Sequence, residues 1–159
     1  MSTGLQALVI SVVALLGSLA VWAIKGAPVR LTDDEVRLTT VIEDWGGEVL
    51  WVDARKRDEW QRNGLEGSVL INLDADENLD SLIAEALPRL AVAKRVVIYC
   101  GDAGCGTSHE VSRQLCSHDI GVKGDRTKTE PTGDLEIYVL HGGWEALAKA
   151  GLVRVSDSR

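Results

Sequence analysis

From about residue 32 onward, short runs of β-branched and aromatic residues alternate with segments of helical periodicity, and this alternation narrows the fold more than any other property of the chain. EVLWVD (48–53), SVLINL (68–73), RVVIYC (95–100) and LEIYVL (135–140) read as four strands of the buried type. Thr32-Asp33-Asp34-Glu35 has the form of a capping box. It predicts a helix with Val36, Val41, Ile42 and Trp45 on its apolar face, ended by Gly46-Gly47. Residues 55–63 are polar and read as helical. Leu79, Leu82, Ile83, Ala86, Leu87 and Leu90 form a helical stripe, residues 108–117 a further helix, and residues 144–150 a closing one stopped by Gly151. Such alternation implies right-handed crossovers and an α/β fold with a mainly parallel sheet flanked by helices. Ligands of such sheets bind at the C-terminal ends of the strands, and Cys100 stands at one of them. The segment 118–134, polar and rich in glycine and threonine, is long for a helix-to-strand connection.

Ahead of this domain lies LQALVISVVALLGSLAVWAI (5–24), which carries no charge and whose polar residues are only Gln6, Ser11 and Ser18. At about 1.5 Å per helical residue it reaches roughly 30 Å, the thickness of a bilayer core. Trp22 and Lys25 fall where an interfacial indole and a flanking cation belong. A cleaved signal peptide with Ser18-Leu19-Ala20 as its site is the alternative, but no basic residue precedes the run and the run is long for that purpose. The organisation expected is a transmembrane helix at 5–24, a linker at 25–31 and a folded domain at 32–155. Lys25, Arg30 and Arg37 follow the apolar run and none precedes it, which points the domain to the cytoplasm.

Charge and cysteine usage exclude other classes. The net charge of -7 falls entirely on residues after Ile24, with no basic stripe, which speaks against nucleic acid as a partner. Three cysteines are too few, and odd in number, for a disulfide scaffold.

Two of the three surround a glycine-rich bend, Cys100-Gly101-Asp102-Ala103-Gly104-Cys105-Gly106-Thr107. Thr107-x-x-Glu110 reads as a second capping box, with the helix beginning at Ser108. Gly101, Gly104 and Gly106 can take backbone angles closed to other residues, so the loop can turn several N–H groups toward one centre beside a helix N-terminus. A thiol there would have its thiolate favoured, as group transfer on sulfur requires. The residues alone also admit a buried structural cysteine, or a metal held by Cys100, Cys105 and His109. No paired Cys-x-x-Cys supports the metal, and none is expected. The glycine spacing is neither a dinucleotide fingerprint nor a P-loop.

Several separated pieces together resemble the rhodanese-like domain family. VLWVDAR (49–55) is similar to its strand ending in an Asp-x-Arg signature. DEWQRNGLEGSVLINL (58–73) resembles its acidic-aromatic helix followed by a G-H-I-P-G-A segment. VVIYC (96–100) is like the strand that ends in the active-site cysteine, and VLHGGWEAL (139–147) resembles the closing L-x-G-G segment. The resemblance implies a compact α/β domain and sulfur transfer through a persulfide on Cys100, from a small sulfur donor to a thiol acceptor, with no cofactor. It implies supporting, mostly structural roles for Asp53 and Arg55, whose hydrogen bonds would orient the loops. Three departures stand out: Gly64 sits where histidine is common, the loop exceeds the usual six residues, and the loop has no arginine or lysine. Longer loops in related domains hold phosphate-sized groups with an arginine, so phosphatase chemistry is not expected here. Cys105 suits a variant loop, Y-C-x4-C-x-x-S, in which it resolves a persulfide or pairs with Cys100. A thiol redox protein using Cys100 and Cys105, and a non-catalytic binding module at the membrane, are the competing readings; the identity of any protein partner is not legible in the sequence. His109 is expected to face solvent, and Cys116 to pack on its helix.

Overall fold

The computed structural model describes residues 33–101, 104, 106–118 and 135–153. The segments 5–24 and 25–31, the Thr32 cap, Asp102, Ala103, Cys105 and residues 119–134 lie outside the described residues. Among the described residues no helix is long and apolar enough to cross a membrane.

Five parallel strands form one sheet: β1 (Glu35–Val36), β2 (Leu50–Asp53), β3 (Val69–Leu70), β4 (Arg95–Tyr99) and β5 (Glu136–Leu140), in the order β1-β5-β4-β2-β3. Among the described residues four α-helices accompany them: α1 (Arg57–Asn63), α2 (Leu79–Leu90), α3 (Gly106–Ser117) and α4 (Gly143–Lys149). Side chains of consecutive strand residues point to opposite faces, and the core divides accordingly. Leu50 and Val52 of β2, with Val96, Ile98 and the following Cys100, pack on Ile83, Ala86 and Leu90 of α2 and on Val111 and Leu115 of α3. Val97 and Tyr99 point the other way, to Val36, Val41 and Leu147. Each fully buried aliphatic side chain contributes about 1.5–3 kcal/mol of burial free energy, so both faces of β4 are anchored. That fixes where its last residue emerges.

The capping box at 32–35 does not open a helix there. Glu35–Val36 is an edge strand, in register with Val139 and Leu140, and the helical turn comes later as a π-type segment, Thr40–Asp44. The reason is tertiary: Val36 is buried in the second core, while Val139 N donates to Asp34 O (2.7 Å) and His141 N to Val36 O (2.9 Å). These long-range bonds outweigh a local cap signal worth about 1 kcal/mol. The strand read at 68–73 shortens to Val69–Leu70, because Asn72 turns its side chain to the Arg55 carbonyl (2.9 Å).

Candidate active site

Strand order sets the site. From β2 the chain crosses by α1 to β3 on one side, whereas from β4 it crosses by α3 to β5 on the other. The direction of winding therefore reverses between β2 and β4. A crevice opens outside the C-terminal ends of strands at such a point. Here it is a cleft of about 770 Å³, walled by Ala54, Arg55 and Lys56 after β2, Asn72 to Ala75 after β3, Cys100 and Gly101 after β4, and Gly106, Thr107 and Glu110 of α3.

Cys100 lies at the floor, 2 % exposed, on the face of the sheet that carries α3. Its carbonyl oxygen accepts from the backbone N–H of Trp144 at 2.7 Å. Gly142 (φ 80) and Gly143 (φ 52) make that bond possible, since both adopt the left-handed region where a Cβ is disfavoured.

Asp53 and Arg55 form a buried hub beneath the cleft. Asp53 Oδ1 accepts from Arg55 N (2.9 Å) and Nε (3.0 Å), and Oδ2 accepts from Nη2 (2.8 Å). Arg55 Nη1 donates to Asn63 Oδ1 at the end of α1 (3.0 Å). The guanidinium lies between the rings of Tyr99 (5.7 Å) and Trp144 (5.2 Å). A Cβ on Gly101 would meet Arg55 Cδ at 3.6 Å, so the arginine stem lies directly against the loop. Burial opposes the charge of Arg55, but the hydrogen bonds and charge of Asp53 outweigh it and raise its pKa. Burial, with the negative charge of Asp53 added, pushes the Tyr99 hydroxyl well above its usual range. Tyr99 instead accepts from Leu65 N (3.0 Å) and donates to Ser68 (3.4 Å).

Helix α3 begins at Gly106, not at Ser108. Thr107 sits within the first turn and lines the cleft, and the Thr107–Glu110 capping box is not formed. The Glu110 carboxylate turns along the helix instead, accepting from Gln114 (2.9 Å) and from Arg113, and both bonds hold it below the usual carboxylate range. Gly101 and Gly104 are exposed, and Gly101 does not take up the left-handed region that is open to a glycine.

Other side chains fall where the sequence did not place them. His109 does not face solvent: Nδ1 lies 3.1 Å from Asp34 and Nε2 3.4 Å from Glu35, tying α3 to β1. Cys116 is half-buried against the first core, as expected. Lys56, Glu59, Asn72 and Asp74 were not singled out by sequence, yet all line the cleft. Their signal is positional, since all lie in the loops or the first helical turn after the C-terminal ends of β2 and β3. Among the described residues no cluster of His, Cys, Asp and Glu is arranged to hold a metal.

The profile of the Rhodanese-like domain matches residues 42–150. No curated protein matches the sequence. Among solved structures, the chain is similar to a thiosulfate sulfurtransferase of Pseudomonas aeruginosa, with 22% identity and a TM-score of 0.48 over 82% of this chain. It spans only 21% of that larger protein. The BH2092 protein of Bacillus halodurans aligns at 17% identity and a TM-score of 0.48, covering 76% of this chain and 75% of its own. Reduced CoADR-RHD of Bacillus anthracis aligns at 16% identity and a TM-score of 0.46, covering 77% of this chain and 18% of its own. The profile covers more than half of the sequence and takes in Asp53, Arg55, Cys100 and the glycine pair before Trp144; the chain belongs to the rhodanese-like domain family.

Proposed function

We propose that this protein is a membrane-anchored sulfurtransferase that carries sulfane sulfur as a persulfide on Cys100. The observation that carries this reading is the placement of Cys100. It is held through its own carbonyl at the switch point of the sheet, on the floor of an open cleft, with the first turn of α3 in the facing wall. The thiolate of Cys100 attacks the outer sulfur of a donor. A sulfur–sulfur bond forms at Cys100, and the donor's own sulfur–sulfur bond breaks with its electron pair leaving on the donor fragment. An acceptor thiolate then attacks the outer sulfur of the persulfide, takes it up and releases Cys100 as thiolate. No net oxidation occurs and no cofactor is required.

The N–H groups of the first turn of α3 and the positive end of its dipole favour negative charge nearby, both on the thiolate and on the terminal sulfur of the persulfide. Asp53 and Arg55 serve as positioning residues, because they bind the chain on both sides of the cleft and reach no reacting atom. The apolar run at 5–24 supports the anchoring, and the cations after it support a cytoplasmic site.

Intact-mass measurement of the purified full chain after exposure to sulfane donors tests the proposal. Wild type should gain one sulfur atom that cyanide or a thiol removes, and Cys100→Ser should gain none. Sulfur uptake by Cys100→Ser, or its absence from wild type with every donor, would refute the assignment. Retention of the full chain in membranes through an alkaline carbonate wash tests the anchor, and release by that wash would remove it.

A further inference from the structure

Helix α3 carries one polar group that the fold leaves unpaired. Ser108 is 0% exposed, and its hydroxyl has no hydrogen-bond partner among the described residues, Cys100 included. Burying a hydroxyl without a partner is costly, and native proteins rarely do so without a use for it.

Two ladders set where this hydroxyl lies. Val96, Ile98 and Cys100 share one face of the sheet and climb roughly 13 Å along β4 to the floor of the cleft. Leu115, Val111 and Ser108 belong to the inward stripe of α3 and climb roughly 10 Å toward its N-terminus. Val111 and Leu115 pack in the same cluster as the three strand positions. The helix opens at Gly106, directly after the loop that leaves Cys100, and runs back along the sheet. Ser108 is therefore the rung of the stripe that stands level with Cys100. In a helix the Cα–Cβ bond tilts toward the N-terminus. The hydroxyl is thus directed to the first turn, where Gly106 and Thr107 wall the cleft beside Cys100.

Loading changes what lies within reach. A persulfide places a second sulfur about 2.05 Å beyond the first. That outer sulfur ionises more readily than a thiol, and the positive end of α3 favours its charge. A hydroxyl that does not reach Cys100 itself can meet this atom, and a hydrogen bond to a charged acceptor is stronger than one between neutral groups.

We propose that Ser108 is a catalytic residue of sulfur transfer: its hydroxyl donates to the outer sulfur of the Cys100 persulfide and is held unpaired in the unloaded domain for that atom. The inference rests on the sulfur-transfer reading above. The exchange balances as Cys100–S⁻ + R–S–S⁻ giving Cys100–S–S⁻ + R–S⁻. A bond forms between Cys100 and the transferred sulfur, and the bond to R–S breaks with its electron pair leaving on R–S⁻. Ser108 keeps its proton throughout. Because its bond exists only in the loaded state, it draws the exchange toward Cys100 and makes loading stabilise the fold.

The test equilibrates the purified full chain with hydroxyethyl persulfide and 2-mercaptoethanol and reads the loaded-to-unloaded ratio by intact mass. Ser108→Ala should lower that ratio by about tenfold. Ser112→Ala, on the next turn of the stripe, should leave it unchanged. Loading should raise the melting temperature of wild type by about 3 °C or more, and the rise should shrink in Ser108→Ala. A purely structural serine would move the melting of both forms together and leave the ratio alone. A ratio unmoved by Ser108→Ala, or an equal rise on loading in the variant and wild type, would overturn the role of Ser108 and leave sulfur transfer standing. Wild type that loads with no rise in melting temperature would overturn it too, even if Ser108→Ala failed to fold. Wild type that takes up no sulfur would overturn the transfer reading and this inference with it.

Discussion

The backbone N–H of Trp144 reaches the carbonyl oxygen of Cys100 across 2.7 Å, and so the closing glycine pair and the candidate nucleophile form one structural unit. The same tryptophan donates its indole N–H to Asn63 O (3.1 Å) and lies 5.2 Å from the Arg55 guanidinium. One residue of α4 thus touches the end of α1, the buried hub and the end of β4. Gly142 makes the turn into α4 at φ 80, and a Cβ there would also meet Ala146 Cβ at 3.4 Å. Gly142→Ala should therefore cost about 1–2 kcal/mol of stability, measured by urea unfolding. Sulfur uptake per folded molecule should fall with it, because the residue displaced is the one that holds Cys100.

Arg55→Lys should be more damaging than its conservative appearance implies. A lysine cannot reproduce the paired bonds to Asp53 or reach Asn63 at the same time. It leaves a fully buried carboxylate poorly compensated, and removing one partner of such a pair costs about 3–5 kcal/mol. The loss should appear as a lowered unfolding midpoint with unchanged slope. An unchanged midpoint would mean that the hub does not support the fold.

Much of this arrangement was legible in the sequence, and the remainder was hidden for identifiable reasons. Leu50, Val52, Val96, Val97 and Ile98 are buried on both faces of central strands, and such runs stand out in any sequence. Leu79–Leu90 showed its stripe because a single helix face is buried. Strand β1 did not show, since two residues cannot display a period and Val36 is defined by its pairing with Leu140. The cleft walls were hidden in a different way. Lys56, Asp74 and Glu110 line one cleft because β2 lies between β4 and β3, and strand order is a tertiary fact. The contact of the Arg55 stem with Gly101 was hidden for the same reason, since it is made from the end of a neighbouring strand.

Gly64, where the family commonly has histidine, does not accept a side chain in this protein. A Cβ there would stand 2.6 Å from Trp60 O and 2.8 Å from Trp60 Cδ1, while Gly64 N already donates to Trp60 O. Trp60 is pinned in turn by its indole bond to Ser68 (3.1 Å). Gly64→His should not restore a family feature. It should destabilise the domain by about 1–3 kcal/mol, the usual range for overpacking. An equal or higher melting temperature would contradict the close approach.

His118 gives the fold a pH-dependent clasp. Its Nδ1 donates to Gln114 O (2.7 Å) at the end of α3, and its Nε2 lies 3.1 Å from Asp80 at the start of α2. Only the imidazolium can donate from both nitrogens, and the Gln114 carbonyl followed by Asp80 raises the pKa. A histidine raised in the folded state contributes stability that is fully present below its unfolded value of about 6.5 and is lost as pH rises through the folded value. Unfolding free energy should therefore decline across that window in wild type. His118→Gln should flatten the decline, as measured by urea titrations on either side of it.

Ser108 supplies the last and most local test. It belongs to the inward stripe Ser108, Val111, Ser112 and Leu115 of α3, and its hydroxyl is fully buried with no hydrogen-bond partner among the described residues. A buried hydroxyl left unsatisfied costs about 1–3 kcal/mol, whereas an apolar group of the same shape carries no such cost. Ser108→Ala removes only the oxygen, so the void is smaller than a methyl group and the cavity term is slight. The substitution should therefore be neutral or stabilising by about 1 kcal/mol, against the general tendency of buried substitutions to destabilise. Ser112→Ala on the same stripe is the control, because Ser112 keeps 7% exposure whereas Ser108 is fully enclosed. If Ser108→Ala lowered the unfolding free energy by more than its neighbour, the hydroxyl would have to be satisfied in solution. Its position one turn before Val111, which packs in the same core as Cys100, would then make the site the place to look for what satisfies it.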